Sequence, residues 1–196
     1  DGAGVWLHEK EHVGFAHRRL SIIGIEDGAQ PMTDGSGLWV TYNGAIYNYP
    51  ELRDELGTEN FRTGSDTEVL LQGYRRWGTN LVSKLRGMFS FAIWDEQDNT
   101  LFMARDRVGM KPLYYYQGHD TLYAASEIKG LLPFVDRIET DIEGLNDYLT
   151  FQFCLDGKTL FKDIRELPPG HIALVRNGRM EISRYWEVNY DIDFNH

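Results

Sequence analysis

Cysteine is almost missing from this sequence: Cys154 is the single one among its 196 residues. One cysteine excludes an internal disulfide and is typical of a protein from a reducing compartment. Runs of apolar residues long enough to cross a bilayer are also missing, as is a stretch with the character of a signal peptide. These absences predict a cytoplasmic protein without a membrane partner.

Positive charge is in deficit. The 20 lysines and arginines stand against 30 aspartates and glutamates, which gives a formal net charge of −10. An acidic surface repels phosphate backbones and anionic lipids, so no nucleic-acid partner is predicted either. The hydrophobic share of 42% and the charged share of 26% are ordinary for a globular protein, and the length allows one large domain or one and a half.

Both ends of the sequence have the character of internal positions. Asp1 stands where an initiator methionine is usual, and the last six residues, 191–196, are polar and complete no motif. We therefore expect the chain to be part of a longer protein.

Turn residues divide the chain into short strands and helices. The predicted strands and hairpins cover residues 4–17, 16–24, 38–42, 88–104, 113–125 and 172–185. The predicted helices cover residues 48–57, 65–78, 81–85, 126–132 and 142–148. Asn48 is the candidate N-cap of the first helix, and Ser65 with Glu68 forms a capping box at the second. This alternation predicts an α+β domain in which helices cover an antiparallel sheet.

The stretch from Val40 to Asn48 carries the first candidate for chemistry. A β-branched and aromatic strand, 38–42, stops at Asn43-Gly44, and a helix signal follows at Asn48. A strand end that offers an amide side chain and a glycine N–H to one point can stabilise an oxyanion. Asn-Gly is also a turn dipeptide, so a plain turn is the alternative.

Three charged residues are candidates for holding a ligand that carries both charges. Arg18 and Arg19 are adjacent on a predicted strand, so one of them can face inward, where a guanidinium binds a carboxylate through two hydrogen bonds. Two surface charges are the alternative. Asp66 lies at the start of helix 65–78, where the helix dipole favours a carboxylate, and a simple capping role is its alternative.

Residues 8–12, His-Glu-Lys-Glu-His, match the zinc-protease motif H-E-x-x-H. That motif requires a helix that places both imidazoles on one face, whereas the flanking residues alternate with a period of two. The sequence therefore favours the polar tip of a hairpin, and no metal site is predicted.

Seven short motifs occur in order along the chain. They are Ala16-His17-Arg18-Arg19-Leu20-Ser21-Ile22, Asn43-Gly44-x-Ile46-Tyr47-Asn48, Gly64-Ser65-Asp66-Thr67-Glu68, Ala104-Arg105-Asp106-Arg107-x-Gly109-x-Lys111-Pro112-Leu113-Tyr114, Ala125-Ser126-Glu127-Ile128-Lys129, Leu167-Pro168-Pro169-Gly170-His171 and Tyr185-Trp186. Together they resemble the glutaminase domain of glutamine-hydrolysing asparagine synthetase, a class II glutamine amidotransferase, over essentially the whole chain. The resemblance implies an αββα N-terminal-nucleophile hydrolase fold, a sandwich of antiparallel sheets flanked by helices.

The resemblance also implies that glutamine is hydrolysed to glutamate and ammonia. Arg19 matches the arginine that holds the α-carboxylate of glutamine, and Asp66 matches the carboxylate that holds its α-ammonium group. Asn43 and Gly44 match the hydrogen-bond donors to the oxyanion. In the family the nucleophile is an N-terminal cysteine, whose own α-amino group titrates near neutrality and serves as the base.

Two features depart from the family pattern. The Cys-Gly-Ile start that carries the nucleophile lies upstream of the position matched by Asp1, so we expect the catalytic cysteine outside this chain and expect the chain itself to be inactive. Cys154 is internal and flanked by apolar residues, which favours a small buried side chain. Ala45 stands where asparagine synthetases usually place a glutamate that helps to hold the substrate ammonium group, so we include Ala45 in the glutamine site.

For the parent protein, the resemblance implies a glutamine amidotransferase domain over residues 1–186 and, in 187–196, the start of a linker to an ATP-dependent synthetase domain. No Ser-Gly-Gly-x-Asp loop occurs in this chain, so ATP and Mg are expected only in that second domain and no cofactor in this one. Glutamine and the C-terminal synthetase domain are the implied partners, and a homodimer is an open alternative.

Two other functions fit the same residues. Ala45 favours an asparagine-synthetase-like amidotransferase that acts on another carboxylate, that of a sugar acid or a peptide. The missing nucleophile together with Ala45 also allows a non-catalytic regulatory module with the same fold.

Overall fold

A computed structural model describes residues 2–8, 10, 12–19 and 27–190, with the side chain of Arg19 outside the described part. These residues form eleven strands: β1 (Gly2–His8), β2 (Val13–Arg19), β3 (Met32–Thr33), β4 (Leu38–Ile46), β5 (Gly87–Asp95), β6 (Thr100–Arg105), β7 (Tyr114–Gln117), β8 (Leu122–Ala125), β9 (Ile164–Glu166), β10 (His171–Arg176) and β11 (Arg179–Arg184). The four α-helices are α1 (Tyr49–Leu56), α2 (Asp66–Trp77), α3 (Leu81–Lys84) and α4 (Ile142–Phe151). Among these described helices, none has the length and apolar character needed to cross a membrane.

Six strands form the main sheet in the order β11-β10-β6-β5-β4-β3, and every neighbouring pair is antiparallel. Strands β1 and β2 form a separate hairpin, while β8, β7 and β9 form a three-stranded sheet. This arrangement of antiparallel strands and helices is the α+β organisation that the sequence predicts.

Helices α1 and α2 cover one face of the main sheet. Alternate residues of β4, namely Val40, Tyr42 and Ile46, are buried in the same core cluster as Val69 and Leu70 of α2. Full burial of such a side chain contributes roughly 1.5–3 kcal/mol. The start of α2 is therefore held firmly beside the end of β4.

The hairpin β1–β2 packs on the opposite face of the main sheet. Phe15 of β2 is buried in one cluster with Trp94 and Met103. Trp6 of β1 stacks on Trp39 of β4, with ring centroids 4.5 Å apart. The main sheet thus lies between a helical layer and a second layer of strands.

Four predicted hairpins are confirmed. Those at 4–17, 88–104, 113–125 and 172–185 correspond to the pairs β1–β2, β5–β6, β7–β8 and β10–β11. The last of them turns at Asn177 and Gly178, whose φ angles of 50° and 71° are those of a primed turn. Its Asn-Gly dipeptide is the local signal that made this hairpin predictable.

The first hairpin decides the interpretation of the H-E-x-x-H stretch. His8 ends β1 and His12 lies in the turn with a φ of 52°, so the two residues lie on a hairpin and not on a helix. The predicted strand 16–24 is confirmed as far as Arg19, and its remaining residues lie outside the described part.

The predicted end of a strand at Asn43-Gly44 is wrong, and so is the turn alternative. Strand β4 continues to Ile46, and its register pairs Asn43 with Ser90 and Gly44 with Phe89 of β5. Pairing with a partner strand distant in sequence overrides the local preference of Asn-Gly for a turn.

The predicted capping box at α2 is half correct. The Ser65 hydroxyl accepts a hydrogen bond from the Thr67 N–H at 3.2 Å, so Ser65 is the N-cap. The carboxylate of Glu68 accepts from the Thr63 N–H at 2.8 Å, and the Ser65 N–H donates to the Thr63 hydroxyl at 3.3 Å. The predicted bond from the Ser65 N–H to the Glu68 side chain is therefore wrong, because each of these two groups bonds to Thr63 instead.

Asn48 occupies the N-cap position of α1, but its side chain makes no capping bond. Its Oδ1 accepts from the Arg86 N–H at 2.8 Å, and its Nδ2 donates to the Lys84 carbonyl at 3.0 Å. The side chain therefore ties the start of α1 to the segment that leads into β5.

Three shorter helix predictions have different outcomes. The prediction of 81–85 is confirmed by α3, and that of 142–148 by α4, which extends to Phe151. The prediction of 126–132 is wrong in type, because Ile128–Gly130 and Leu132–Phe134 are 3-10 turns. Pro133 lies at the start of the second turn, where a missing N–H removes no helical hydrogen bond.

Candidate active site

A cavity of about 1010 Å³ opens where β4 ends and α2 begins. One wall is formed by 12–18 of the first hairpin, and another by 120–127, which contain β8. The lining residues at the end of β4 and the start of α2 are Gln30, Thr41, Tyr42, Asn43, Gly44, Asp66 and Thr67. Part of the floor is apolar and includes Trp94 and Met103.

The backbone of β4 directs one N–H toward this cavity. The Tyr42 N–H donates to Gln30 Oε1 at 2.6 Å, and the Ile46 N–H donates to Asp66 Oδ2 at 2.9 Å. Successive N–H groups of a strand alternate in direction, so the Gly44 N–H points to the same edge as those of Tyr42 and Ile46. It therefore lies between the Gln30 and Asp66 side chains, at a residue that lines the cavity.

Glycine is required at position 44 by the close approach of β5. A Cβ atom built on Gly44 would lie 2.1 Å from the carbonyl oxygen of Met88 and 2.8 Å from the Cα of Phe89. Any side chain here displaces β5 or bends β4, so the Gly44 N–H stays in place only with glycine.

Asn43 is half-buried and lines the cavity. Side chains alternate along a strand, so Asn43 lies on the face opposite Tyr42 and shares the face of Thr41. The Thr41 hydroxyl is 3.1 Å from Nδ1 of His17 on β2, which places this face of β4 beneath the first hairpin. An amide side chain and a glycine N–H are thus offered by neighbouring residues of one cavity wall.

Asp66 is the first residue of α2 and is only 3% exposed. Its Oδ2 accepts from the Tyr42 hydroxyl at 2.8 Å and from the Ile46 N–H at 2.9 Å. The dipole of α2 favours a carboxylate at this end of the helix. Burial, together with the Asp66 charge, raises the pKa of Tyr42 far above its usual range, so Tyr42 stays protonated and acts as a donor.

The five residues predicted for the site have different locations. Asn43, Gly44 and Asp66 line the same cavity. Ala45 is buried at 6% exposure and does not line it. Arg19 ends β2 opposite Gly2, and its side chain lies outside the described part.

Cys154 lies away from this cavity, half-buried beside α4. Its thiol donates to the Gly144 carbonyl at 3.3 Å. Burial, with the charges of Asp147 and Asp141, raises the pKa of the Cys154 thiol. A thiol held in its protonated form is a poor nucleophile. The predicted small buried side chain is only partly confirmed, because Cys154 is half-buried.

The sequence indicates 105–112 only as part of one ordered motif and does not reveal its structural role. Asp106 is fully buried, and its two carboxylate oxygens accept from the backbone N–H groups of Phe89, Val108, Met110 and Lys111 at 2.9–3.2 Å. This carboxylate fixes the loop that leads to Lys111, which lines the cavity. An aspartate followed by Gly109 and Pro112 was the available signal, because it indicates a tight turn that needs an acceptor.

Arg105 fixes the same loop from its other side. Its guanidinium donates to the carbonyls of Lys111 at 2.8 Å, Leu167 at 2.7 Å and Gly109 at 3.0 Å. It also forms an ion pair with Glu166 at 2.8 Å, and its side chain is 7% exposed. Such a set of non-local contacts has no signature in the local sequence.

Metal ligands form no cluster in the part of the chain that the structure describes: no group of three or more His, Cys, Asp or Glu side chains could hold an ion. At the end of β4 and the start of α2, the cavity offers hydrogen-bond donors of β4 and the Asp66 carboxylate, while Arg18, Lys111, Asp120 and Glu127 line its other walls. This set can hold a cationic group at Asp66 and stabilise negative charge at Asn43 and Gly44.

Comparison with known proteins places the chain in a family. The chain is 45% identical over 189 residues to asparagine synthetase [glutamine-hydrolyzing] 1 of Bacillus subtilis, covering 94% of this chain and 30% of that protein. It is 36% identical over 198 residues to amidase chry2 of Gibberella zeae, covering 99% of this chain and 29% of that protein. The chain thus spans about a third of the length of the curated relatives it matches.

The solved structure of glutamine phosphoribosylpyrophosphate amidotransferase from B. subtilis is similar in fold. It superposes with a TM-score of 0.61 and 24% identity, covering 88% of this chain and 35% of that one. This likeness confirms the predicted α+β fold of antiparallel sheets and helices. Residues 1–186 match the family described as glutamine amidotransferase domain, and the chain belongs to this family.

Proposed function

We propose that this chain is the glutaminase domain of an asparagine synthetase and serves the hydrolysis of glutamine to glutamate and ammonia. The observation that carries the proposal is the meeting of Asn43, Gly44 and Asp66 on one cavity. Asp66 holds the α-ammonium group of glutamine and Arg19 its α-carboxylate, and the side-chain amide then lies beside Asn43 and Gly44. Ala45 contributes no charge to this set.

The nucleophile belongs to a segment outside these 196 residues. In the proposed reaction the α-amine of an N-terminal cysteine takes the thiol proton, and the sulfur attacks the amide carbon of glutamine. The oxyanion is stabilised by the Asn43 side chain and the Gly44 N–H. The amide nitrogen takes the proton back from the α-ammonium group of the cysteine and leaves as ammonia. Water then hydrolyses the thioester, which gives glutamate and the free thiol.

The cavity has a suitable place for such a segment. The residues that line two of its walls, 12–18 and 120–127, include strands β2 and β8, each of which has one partner strand in the described part of the chain. An extended segment between these two edges would pair with both, and its apolar side chains would cover Trp94 and Met103. Its end would then reach Asn43 and Gly44.

For the parent protein we propose that the ammonia serves the ATP-dependent amidation of aspartate. The similarity to curated asparagine synthetases supports this acceptor. Residues 1–186 would be the amidotransferase domain and 187–196 the start of a linker to a C-terminal synthetase domain, which binds ATP and Mg. We expect a cytoplasmic protein, since one cysteine fits a reducing compartment, and a homodimer is one of the assemblies open to it.

A second acceptor is supported by particular observations. Ala45 departs from the glutamate expected of asparagine synthetases, and a relative that is 36% identical is named an amidase. The amidated carboxylate would then belong to a sugar acid or a peptide. A non-catalytic module with the same fold is the third hypothesis, because Cys154 is the only cysteine of the chain and is not a suitable nucleophile.

Activity of the parent protein tests these functions. We expect ammonia release from glutamine, its loss when the N-terminal cysteine is replaced by alanine, and no release from the 196-residue chain alone. Asparagine formed from aspartate, ATP and glutamine supports the first acceptor, and ammonia release without asparagine supports the second. A parent protein that releases no ammonia contradicts both and leaves the non-catalytic module.

A further inference from the structure

The Tyr42 side chain makes a contact that the proposed reaction does not yet use. Its hydroxyl donates to Asp66 Oδ2 at 2.8 Å, and the two residues are 4% and 3% exposed. In the described part of the chain, both hydrogen bonds to the Asp66 carboxylate end on Oδ2, from Tyr42 and from the Ile46 N–H. One carboxylate oxygen is thus occupied by the protein's own donors.

Tyr42 is itself held in place. Its N–H donates to Gln30 Oε1 at 2.6 Å, and the Gln30 Nε2 is 3.5 Å from the Thr67 hydroxyl on α2. Gln30 is 9% exposed, so this bridge between β4 and α2 is buried. Hydrogen bonds in such a site are shielded from water and restrict each side chain to one orientation.

We propose that Tyr42 is a positioning residue that fixes the Asp66 carboxylate, so that Asp66 Oδ1 receives the α-ammonium group of the substrate. This inference rests on the proposed binding of glutamine. The Tyr42 hydroxyl touches no substrate atom and acts only through Asp66. A carboxylate already held by two donors loses little freedom when the ligand binds, which favours affinity.

Ala45 makes this role decisive. In the family that the sequence resembles, a glutamate at this position helps to hold the ammonium group, whereas Ala45 is buried and uncharged. Among the described residues at the end of β4 and the start of α2 that line the cavity, Asp66 is the one carboxylate. Recognition of the ammonium group then depends on how well Asp66 is oriented.

The test compares two ligands in the parent protein. Calorimetry on the parent protein with its N-terminal cysteine replaced by alanine, so that no amide is hydrolysed, gives the Kd of L-glutamine and of 5-amino-5-oxopentanoate, which is glutamine without its α-amino group. We expect Tyr42→Phe to weaken the binding of glutamine about tenfold or more, as is usual for a lost hydrogen bond to a charged group. The analogue should change less than about twofold, because it has no ammonium group for Asp66 to hold.

Tyr74→Phe is the matched control. Tyr74 is a buried tyrosine of the same core cluster as Tyr42 and lies on α2 away from the cavity lining. The Tyr74→Phe variant should leave the preference for glutamine over the analogue unchanged. If Tyr42→Phe does not fold, Tyr42→3-fluorotyrosine keeps the ring and makes the hydroxyl a stronger donor, and the preference should then shift by more than about twofold.

The possible results separate this inference from the proposed function. Equal weakening of both ligands by Tyr42→Phe, or a preference unchanged by 3-fluorotyrosine, would overturn the positioning role. Binding of neither ligand by the parent protein would overturn it as well. Glutamine binding that shows the expected preference, without ammonia release, would refute the glutaminase while leaving the role of Tyr42 intact.

Discussion

The carboxylate of Asp66 lies 2.9 Å from the backbone N–H of Ile46, so the first residue of α2 is bonded to the last residue of β4. Gly44 lies two residues earlier on the same edge of β4. The carboxylate proposed to bind the ammonium group and the proposed oxyanion donors therefore share one rigid junction between a helix and a strand. A change at either element is expected to disturb both parts of the site.

Replacing Asp66 tests the proposed binding of the substrate's ammonium group. Asp66→Asn keeps the shape of the side chain but removes its charge, so we expect the KM for glutamine in the parent protein to rise by about tenfold to a hundredfold. Asp34→Asn is the matched control, because Asp34 pairs with Arg75 and does not line the cavity. An unchanged KM in Asp66→Asn would contradict the assigned role.

Replacing Gly44 tests the close approach of β5. The Cβ of Gly44→Ala would lie 2.1 Å from the Met88 carbonyl oxygen, so we expect the free energy of unfolding to fall by about 1–3 kcal/mol. Gly2→Ala is the control, since a Cβ there meets no atom within 4 Å. Urea unfolding of both variants measures this difference. Equal urea midpoints for Gly44→Ala and Gly2→Ala would show that β5 does not restrict position 44.

Replacing Asp106 tests the loop that leads to Lys111. Asp106→Asn puts an amide N–H₂ against backbone N–H groups, so a buried acceptor is lost where four donors converge. We expect a loss of about 1–3 kcal/mol in the free energy of unfolding. The exposed Asp98→Asn, in the turn between β5 and β6, should unfold like the wild type. Wild-type stability in Asp106→Asn would mean that the loop does not depend on this carboxylate.

Alkaline pH tests the burial of Tyr42. Burial raises the pKa of Tyr42 above its usual value of 10.0, so the folded protein favours the neutral hydroxyl. This contribution to stability is complete below the unfolded pKa, near 10.0, and is lost as the pH rises from there toward the folded pKa. The free energy of unfolding should therefore fall above that pH, and Tyr42→Phe should reduce the fall. The exposed Tyr190→Phe should reproduce the wild-type slope, and a wild-type slope in Tyr42→Phe would contradict the prediction.

Local signals predicted the hairpins well. Asn177-Gly178 adopts the primed turn that its residue types favour, and the polar residues 96–99 separate β5 from β6 within the predicted hairpin 88–104. The same dipeptide at Asn43-Gly44 led to a wrong prediction, because there the pairing of β4 with β5 continues through both residues. Only the partner strand, which is distant in sequence, distinguishes the two cases.

Non-local contacts account for the rest of what the sequence did not reveal. The Asn48 side chain serves Arg86 and Lys84 instead of its own helix. Gln30, Tyr42 and Arg105 gain their roles only when segments far apart in the chain come together. The site residues Asn43, Gly44 and Asp66 could be named from ordered motifs, whereas the network that orients them could not.

The crystal structure of the parent protein with bound L-glutamate tests the central claim most directly. We expect the α-ammonium group within hydrogen-bond distance of Asp66, the α-carboxylate on the Arg19 guanidinium, and the side-chain carboxylate beside the Asn43 amide and the Gly44 N–H. Glutamate bound in another cavity, or in this one with its ammonium group away from Asp66, would contradict the account.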